Sequence, residues 1–307
     1  MNQALAPSTA RVYKAARSSV AKFINYVHSA CTARKGEWIL LYIVFLAQVL
    51  HLQFSTITTY LAGVRHWFAA GGLQDPTLVN GGSNPRLNLL LRGIKRDSAA
   101  RVKRVRKPLD IGKLNRIASA FDELEIPLFE KLRAKTACLL AFWGFLRSVD
   151  YCTTLKRKDI SFDTLENGGL YITLHLRKTK TQQFEQTKVY IYSNDSSLCA
   201  VRAMAAYIKL TARYACKPES CLFSIPGSAF HAHFFNTLLK LAVKQAGLNP
   251  RHYSSHSLRS GAATTAANTG VPPYLIKKLG RWRSDTYTAY VRDPKKALRQ
   301  AHQSMLE

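Results

Sequence analysis

Two side chains three residues apart near the C-terminal end could act together on an anion. His256 and Arg259 belong to HSLRSGAATTAANTG, at residues 256–270, and side chains at this spacing share one face of a helix. A histidine and an arginine that converge in this way suit an anion on which negative charge develops during a reaction. Taken alone, an HxxR pair is a weak signal and is more often structural.

A second segment brings tyrosines close behind basic and aromatic residues. LGRWRSDTYTAYVRDP places Tyr287 and Tyr290 on a predicted helix after Arg281 and Trp282. A phenol with a pKa of about 10 is a poor nucleophile at neutral pH. Neighbouring arginine and lysine charges favour the phenolate and thereby activate it. Each tyrosine taken singly would pass for an ordinary surface or core aromatic.

These motifs together resemble the catalytic end of the tyrosine recombinases, the phage integrase family, and especially the versions found in eukaryotic mobile elements. HSLR precedes LGRW…Y here as it does in that family. The family's first arginine stands in R-x-x-E, and AFWGFLRSVDYCTTL offers Arg147 with Asp150 three residues later. The family's lysine lies on a β-hairpin between these motifs, where RKTKTQQF offers Lys180, with Lys178 as the competing choice.

The resemblance also has one departure, which concerns the family's His/Trp position. That position usually stands nine residues before the tyrosine, and Arg281 occupies it, whereas Trp282 stands eight before Tyr290. Either the helix entry shifts by one residue and Trp282 serves, as an indole donor or by packing beneath the tyrosine helix, or the pairing is with another tyrosine. Tyr287 follows Trp282 by only five residues, so Tyr290 is the better candidate.

The resemblance implies cleavage of a phosphodiester by a tyrosine, without a metal or ATP. Tyr290 would form a 3′-phosphotyrosyl link and free a 5′-hydroxyl. Arg147 and Arg259 would each direct two donors onto the nonbridging oxygens, a task for which lysine is less suited. Lys180 would protonate the leaving oxygen, and His256 would position the phenol or accept its proton. The predicted catalytic set is Arg147, Lys180, His256, Arg259, Trp282 and Tyr290, with no cofactor and no metal.

Three other functions remain open at this point. A metal-dependent nuclease would use clustered carboxylates, but Asp159 and Asp163 lie near a basic run and read as surface or cap residues. A type IB topoisomerase would share the cleavage chemistry and relax supercoils instead of recombining DNA. A third possibility is a catalytically inactive DNA-binding protein derived from a recombinase.

The charge of the chain points to nucleic acid independently of these motifs. Among its 307 residues, 45 lysines and arginines oppose 18 aspartates and glutamates, a net charge of +27. Residues 1–107 hold 16 basic and 3 acidic side chains, and the rest of the chain holds 29 and 15. Two basic lobes match the phosphates of duplex DNA and predict a clamp. The predicted DNA-contacting residues are Arg11, Lys14, Arg65, Arg101, Lys103, Arg104 and Arg106.

The pattern of apolar residues predicts a mainly α fold with a small β-hairpin. Residues 1–92 read as a helical bundle, which resembles the family's core-binding domain in composition and size. Residues 93–107 are polar and rich in arginine and lysine, and are predicted to be a basic linker. Residues 108–307 form the predicted α-rich catalytic domain, in which Tyr171–Leu176 and Val189–Tyr192 alternate as the two strands of the hairpin.

The surroundings and assembly of the protein are expectations of the same kind. The longest apolar stretch, Trp38–Leu50, has 13 residues and as a helix of about 20 Å is too short to cross a bilayer. Residues 1–7 do not resemble a signal peptide. We expect a protein that is not secreted, nuclear if its host is a eukaryote and otherwise in the cytoplasm or nucleoid. The resemblance implies a homotetramer on double-stranded DNA, exchanging C-terminal segments such as residues 295–307.

Overall fold

The computed structural model describes residues 5–28, 37–100, 106–177 and 187–289, together with residues 299, 303 and 305. The chain divides into two compact units, Met1–Lys103 and Arg104–Glu307. Among the described helices, none combines the length and apolar character needed to span a membrane.

The described part of the first unit contains four helices and a short β-hairpin. The helices are α1 (Pro7–His28), α2 (Trp38–Val44, continued by a π-helical turn Phe45–Val49), α3 (Phe54–Ala70) and α4 (Pro85–Ala100). Strands β1 (Leu78–Val79) and β2 (Gly82–Ser83) pair between α3 and α4. The predicted all-helical bundle therefore has one small hairpin that the sequence pattern did not indicate.

Helix α1 packs closely on α3 because a glycine lies at their contact. Ala16, Val20 and Phe23 form the buried stripe of α1, at the spacing that an amphipathic helix requires. A Cβ atom on Gly63 of α3 would lie 2.9 Å from the Cβ of Ala16. Larger side chains at either position would therefore force the two helices apart.

The predicted linker begins too early, because α4 continues through its first eight residues. Residues 93–100 are helical, and Ile94 and Ser98 are buried on the same face of that helix. The basic residues between these two positions make the four-residue spacing hard to recognise in the sequence. The two buried positions are sufficient to hold the helix against the bundle. The assignment of residues 93–100 to a linker is therefore wrong.

The second unit surrounds one helix whose second half is buried. Its helices are α5 (Ile111–Glu123), α6 (Leu128–Trp143), α7 (Ala200–Thr211), α8 (Ala232–Gln245), α9 (Ser255–Asn268) and α10 (Pro273–Leu279). The apolar run Ala137–Phe142 of α6 is buried on every side, as expected of a helix without a polar face. The mainly α fold with a small sheet is thus confirmed.

The sheet of this unit has three antiparallel strands in the order β3–β4–β5. They are β3 (Ile160–Thr164), β4 (Leu170–Leu176) and β5 (Thr187–Tyr192). The predicted hairpin is the β4–β5 pair, in which Tyr171 lies opposite Tyr192. Ile172, Leu174 and Ile191 are buried on one face, so the register follows from the alternation of apolar residues. Strand β3 was not predicted.

The segment before α5 is attached to α9 by its backbone. The amide of Lys107 donates to the carbonyl of His252 at 2.8 Å, and the amide of Leu109 donates to the carbonyl of Ser257 at 2.9 Å. Leu109 is fully buried, and a Cβ atom on Gly261 of α9 would overlap its carbonyl oxygen. Gly261 is therefore required for this close approach of two backbones.

We predict that Gly261→Ala lowers the free energy of unfolding of the chain by about 3 kcal/mol, because backbone atoms cannot move aside as a flexible side chain can. Urea-induced unfolding followed by circular dichroism measures this loss. The matched control is Gly112→Ala in α5, where the new methyl group would meet only the Asp110 carboxylate at 3.6 Å. We expect the control to be stabilised by about 0.5 kcal/mol; equal stability of the two variants would contradict the proposed packing.

Candidate active site

Arg147 lies in a short segment that follows a sharp turn at the end of α6. The turn is made by Gly144 and by Phe145, whose φ of +47° is in the left-handed region. The Arg147 amide donates to the Asp150 carboxylate at 2.8 Å, and Asp150 is buried. The acidic residue three positions after the arginine therefore fixes the backbone from which the Arg147 side chain projects.

His256 and Arg259 occupy the first turns of α9. Ser254 precedes this helix, and its amide donates to the Ser257 hydroxyl at 3.1 Å, which gives a partner to one backbone amide at the helix start. His256 is exposed, whereas Arg259 has only 1% of its surface accessible. The helix thus presents the imidazole at the surface and holds the guanidinium inside the domain.

The guanidinium of Arg259 joins the two segments that carry the other predicted residues. It donates to the Phe145 carbonyl at 2.5 Å and to the carbonyl of Gly280, at the end of α10. Phe145 precedes Arg147 by two residues and Gly280 precedes Trp282 by two. The structure therefore brings α9, the Arg147 segment and the segment after α10 together around one buried cation.

Trp282 packs over Arg259. Its indole ring lies 4.5 Å from the central carbon of the guanidinium, a favourable cation–π arrangement, and it contacts the rings of Phe145 and Tyr287 at 6.3 Å between centroids. A Cβ atom on Gly280 would overlap this indole. Of the two roles predicted for Trp282, packing beneath the tyrosine segment is the one that these contacts support.

Arg281 points in a different direction from its neighbour Trp282. With φ at +54°, it donates to the carbonyls of Gly144 at 3.0 Å and Phe145 at 2.9 Å. Burial is the main reason that its pKa falls from 12.5 to about 10; Asp150 opposes this shift, and the like charge of Arg147 adds to it. The group remains charged at neutral pH, so Arg281 adds a second buried cation to the site, beside Arg259.

The site has donors that the protein itself does not use. Among the described residues, Nη1 of Arg147 and Nε of Arg281 have no hydrogen-bond partner although both atoms are buried. Unpaired buried donors of positive charge are costly unless an anion or water meets them. Such a site is suited to an anion that carries several acceptor oxygens, as a phosphate does.

The other candidates of the catalytic set lie outside or at the edge of the described part. Lys178, Lys180 and Tyr290 are outside the described residues, as are residues 295–298. Tyr287 belongs to a 3₁₀ turn, Asp285–Ala289, against Trp282. The described β4 ends at Leu176 and β5 begins at Thr187.

The predicted DNA-contacting residues have different surroundings. Arg11 and Lys14 are exposed on α1, and Arg106 is exposed in the segment before α5. Arg65 forms an ion pair with Asp75 at 2.7 Å, which leaves half of its side chain accessible. Arg101, Lys103 and Arg104 lie outside the described residues.

The carboxylates that a metal-dependent nuclease would need are used in other ways. Asp159 is buried and accepts from the Lys156 amide at 3.0 Å and from Arg177 at 2.7 Å. Asp163 accepts hydroxyl donors from Ser161 and Thr173. Within the described ranges, no group of three or more histidine, cysteine or acidic side chains could hold a metal ion.

Comparison with known proteins identifies the family. Residues 110–296, more than half of the chain, match the model of the phage integrase family. The chain belongs to this family. A relative named as an integrase/recombinase xerD homolog from Selenomonas ruminantium is 24% identical over 213 residues, 67% of this chain and 60% of that protein. The chain thus aligns with less than two thirds of this relative.

Solved structures of recombinases share the fold. The XerH site-specific recombinase bound to palindromic difH substrate, in a post-cleavage complex, is 16% identical and has a TM-score of 0.72, covering 97% of this chain and 80% of that one. The Tn1549 transposon integrase in complex with transposon right end DNA is 13% identical and has a TM-score of 0.60, covering 97% of this chain and 99% of that one. The tyrosine recombinase fold is therefore confirmed.

Sequence reasoning missed the two residues whose carbonyls assemble the site. Phe145 and Gly280 offer no reactive side chain, and a sequence pattern does not show which backbone oxygens will meet a buried arginine. The only available signals were two glycines, Gly144 after the apolar helix and Gly280 before Arg281, which indicate chain turns.

We predict that Trp282→Ala lowers the free energy of unfolding by about 3–5 kcal/mol, the usual loss for a buried tryptophan. Trp282→Phe should lose much less, because its ring can still lie over Arg259. Equilibrium unfolding in urea measures both variants. Equal losses in the two variants would show that the ring over the guanidinium contributes little.

Proposed function

We propose that this chain cuts and rejoins double-stranded DNA at specific sites through a covalent 3′-phosphotyrosyl intermediate. The observation that carries the proposal is the assembly around the Phe145 carbonyl, which places Arg259 beside the Arg147 segment. Two guanidinium groups from distant parts of the chain are what the phosphorane transition state needs. The DNA complexes of the fold relatives support duplex DNA as the partner.

In the proposed reaction the phenolic oxygen of Tyr290 attacks phosphorus and the bond from phosphorus to the 5′ oxygen breaks. The phenolic proton passes to His256, and Lys180 donates a proton to the leaving 5′ oxygen. Arg147 and Arg259 stabilise the additional negative charge on the nonbridging oxygens. The phosphotyrosyl bond conserves the free energy of the phosphodiester. In the second step a 5′-hydroxyl of another strand attacks phosphorus and gives its proton to Lys180, the bond from phosphorus to the Tyr290 oxygen breaks, and the phenolate regains its proton from His256.

The burial of Arg259 bears on how its donors would be used. Two of its nitrogens donate to the carbonyls of Phe145 and Gly280. Arg147 has a buried nitrogen without a partner. We therefore propose that Arg147 contributes the larger share of the direct contact with the phosphate, while Arg259 both contacts the phosphate and holds the site together.

The assembly, context and location remain proposals. We propose that the chain acts as a homotetramer on two DNA sites and serves a mobile element; the transposon DNA bound by the Tn1549 integrase supports the second of these. We propose a nuclear location if the host is a eukaryote, and the cytoplasm or nucleoid otherwise. Native mass spectrometry of the protein with a duplex target would count the protomers.

We predict that Tyr290→Phe abolishes a covalent protein–DNA adduct on a nicked suicide duplex, whereas Tyr287→Phe retains it, because only Tyr290 has the spacing of the nucleophile. Denaturing gel electrophoresis detects the adduct, and a mobility shift confirms that each variant binds DNA. The opposite result would assign the nucleophile to Tyr287. A wild-type protein that binds but forms no adduct would instead favour the inactive DNA-binding protein.

We predict that Arg11→Ala combined with Lys14→Ala weakens DNA binding and reduces the salt dependence of the affinity. Each lost phosphate contact lowers the slope of log affinity against log salt by about 0.9, so the double variant should lose about 1.8. Fluorescence anisotropy at several salt concentrations measures the slope. The control is Lys209→Ala, an exposed lysine of α7; a loss of about 0.9 in that single variant, the same for each charge removed, would mean that only total charge matters.

A further inference from the structure

Arg281 connects the Arg147 segment to the segment that leads to the tyrosines. Its Nη1 donates to the Gly144 carbonyl and its Nη2 to the Phe145 carbonyl, both at the C-terminal end of α6. Carbonyls at a helix end lack partners within the helix, and a cation there also meets the negative end of the helix dipole. Arg281 thus caps α6 from a distant part of the chain.

Arg281 also lies close to the buried carboxylate of Asp150. The accessible fractions of the Arg281 and Asp150 side chains are 6% and 2%, and Nη2 lies 3.8 Å from Oδ2 of Asp150. That same oxygen accepts the amide of Arg147. A buried carboxylate without a neighbouring cation would be strongly unfavourable. The positive charge of Arg281 therefore lies beside the carboxylate that fixes the Arg147 backbone.

We infer that Arg281 is a positioning residue for DNA cleavage that acts through Arg147, by holding the Gly144 and Phe145 carbonyls and by compensating the charge of Asp150. This inference rests on the proposed function. By spacing, Arg281 stands where the family has its His/Trp, but both of its terminal nitrogens donate to the protein. Its task is therefore to fix the segment that presents Arg147 to the phosphate.

The contacts of Trp282 support this assignment, because its side chain packs on the other arginine of the site. The indole covers Arg259, and Arg281 holds the segment of Arg147, so two adjacent residues each serve one of the two arginines. The left-handed backbone of Arg281 separates the directions of the two side chains. A left-handed backbone is unfavourable for a residue with a Cβ atom, and the hydrogen bonds of Arg281 compensate this strain.

The experiment measures cleavage and binding separately. Single-turnover formation of the covalent adduct on a nicked suicide duplex, at saturating protein, gives the rate, and anisotropy with the same duplex gives Kd. We expect Arg281→Met to lower the rate about 10–100-fold, as misplacement of a catalytic group by about 1 Å does, with Kd changed less than about twofold. The control is Arg213→Met, which removes an exposed arginine that packs on Tyr214 and should cleave at the wild-type rate.

A second variant tests the charge compensation directly. Asp150→Asn keeps an oxygen that can accept the Arg147 amide but removes the buried charge. In the Arg281→Met background we expect Asp150→Asn to restore the rate by at least about threefold, since the two residues are coupled. Arg281→Lys, which keeps the charge but cannot hold both carbonyls, should fall between Arg281→Met and the wild type.

Each outcome decides the inference. A wild-type rate in Arg281→Met overturns it, and so does a loss of binding as large as the loss of rate, which would make Arg281 a DNA contact. A double variant no faster than Arg281→Met also overturns it. Should Arg281→Met fail to fold, Arg281→Lys takes its place, and a wild-type rate in Arg281→Lys would overturn the inference. If the wild-type protein forms no adduct, the proposed function has failed instead.

Discussion

The structure of the site depends on one carbonyl oxygen that accepts two guanidinium groups. The oxygen of Phe145 receives hydrogen bonds from Arg259 of α9 and from Arg281 after α10. Phe145 has a left-handed backbone, which is unfavourable for a residue with a Cβ atom. Charge-assisted hydrogen bonds are stronger than neutral ones, so the two arginines stabilise the turn that ends α6. This turn separates the segment of Arg147 from α6, and the Asp150 carboxylate holds that segment.

The small residues of α9 serve the same assembly. The motif SGAATTAA contains no large side chain, and most of this stretch is buried. The helix is covered by α6 and by the segment of Leu109, whose backbone approaches Gly261 directly. A helix that must be covered on two sides and carry a buried arginine has little room for bulk. Packing thus explains the small residues that follow HSLR, whereas His256 and Arg259 within HSLR are the residues predicted to take part in the reaction.

Much of this arrangement could be predicted from the sequence, and the exceptions have physical reasons. The β4–β5 hairpin follows from simple alternation, and Arg147 and Arg259 were paired through the resemblance. The helical residues 93–100 were misread because exposed lysines and arginines conceal the buried Ile94 and Ser98. Strand β3 is short and half polar, so its pattern is too weak to distinguish from a loop. Backbone oxygens such as that of Phe145 leave no trace in a pattern of side chains.

The position of Arg281 shows why spacing alone could not choose between the two candidates for the family's His/Trp position. Arginine is rarely buried without a partner, so an arginine between Gly280 and Trp282 reads as a surface residue in the sequence. In the structure its partners are two carbonyls and a carboxylate, contributed by residues more than a hundred positions earlier. The residue at the expected spacing holds the segment of one arginine, and the aromatic beside it covers the other arginine. The left-handed backbone of Arg281 turns the two adjacent side chains apart, so a one-residue offset in the motif leaves both of them in contact with the same assembly.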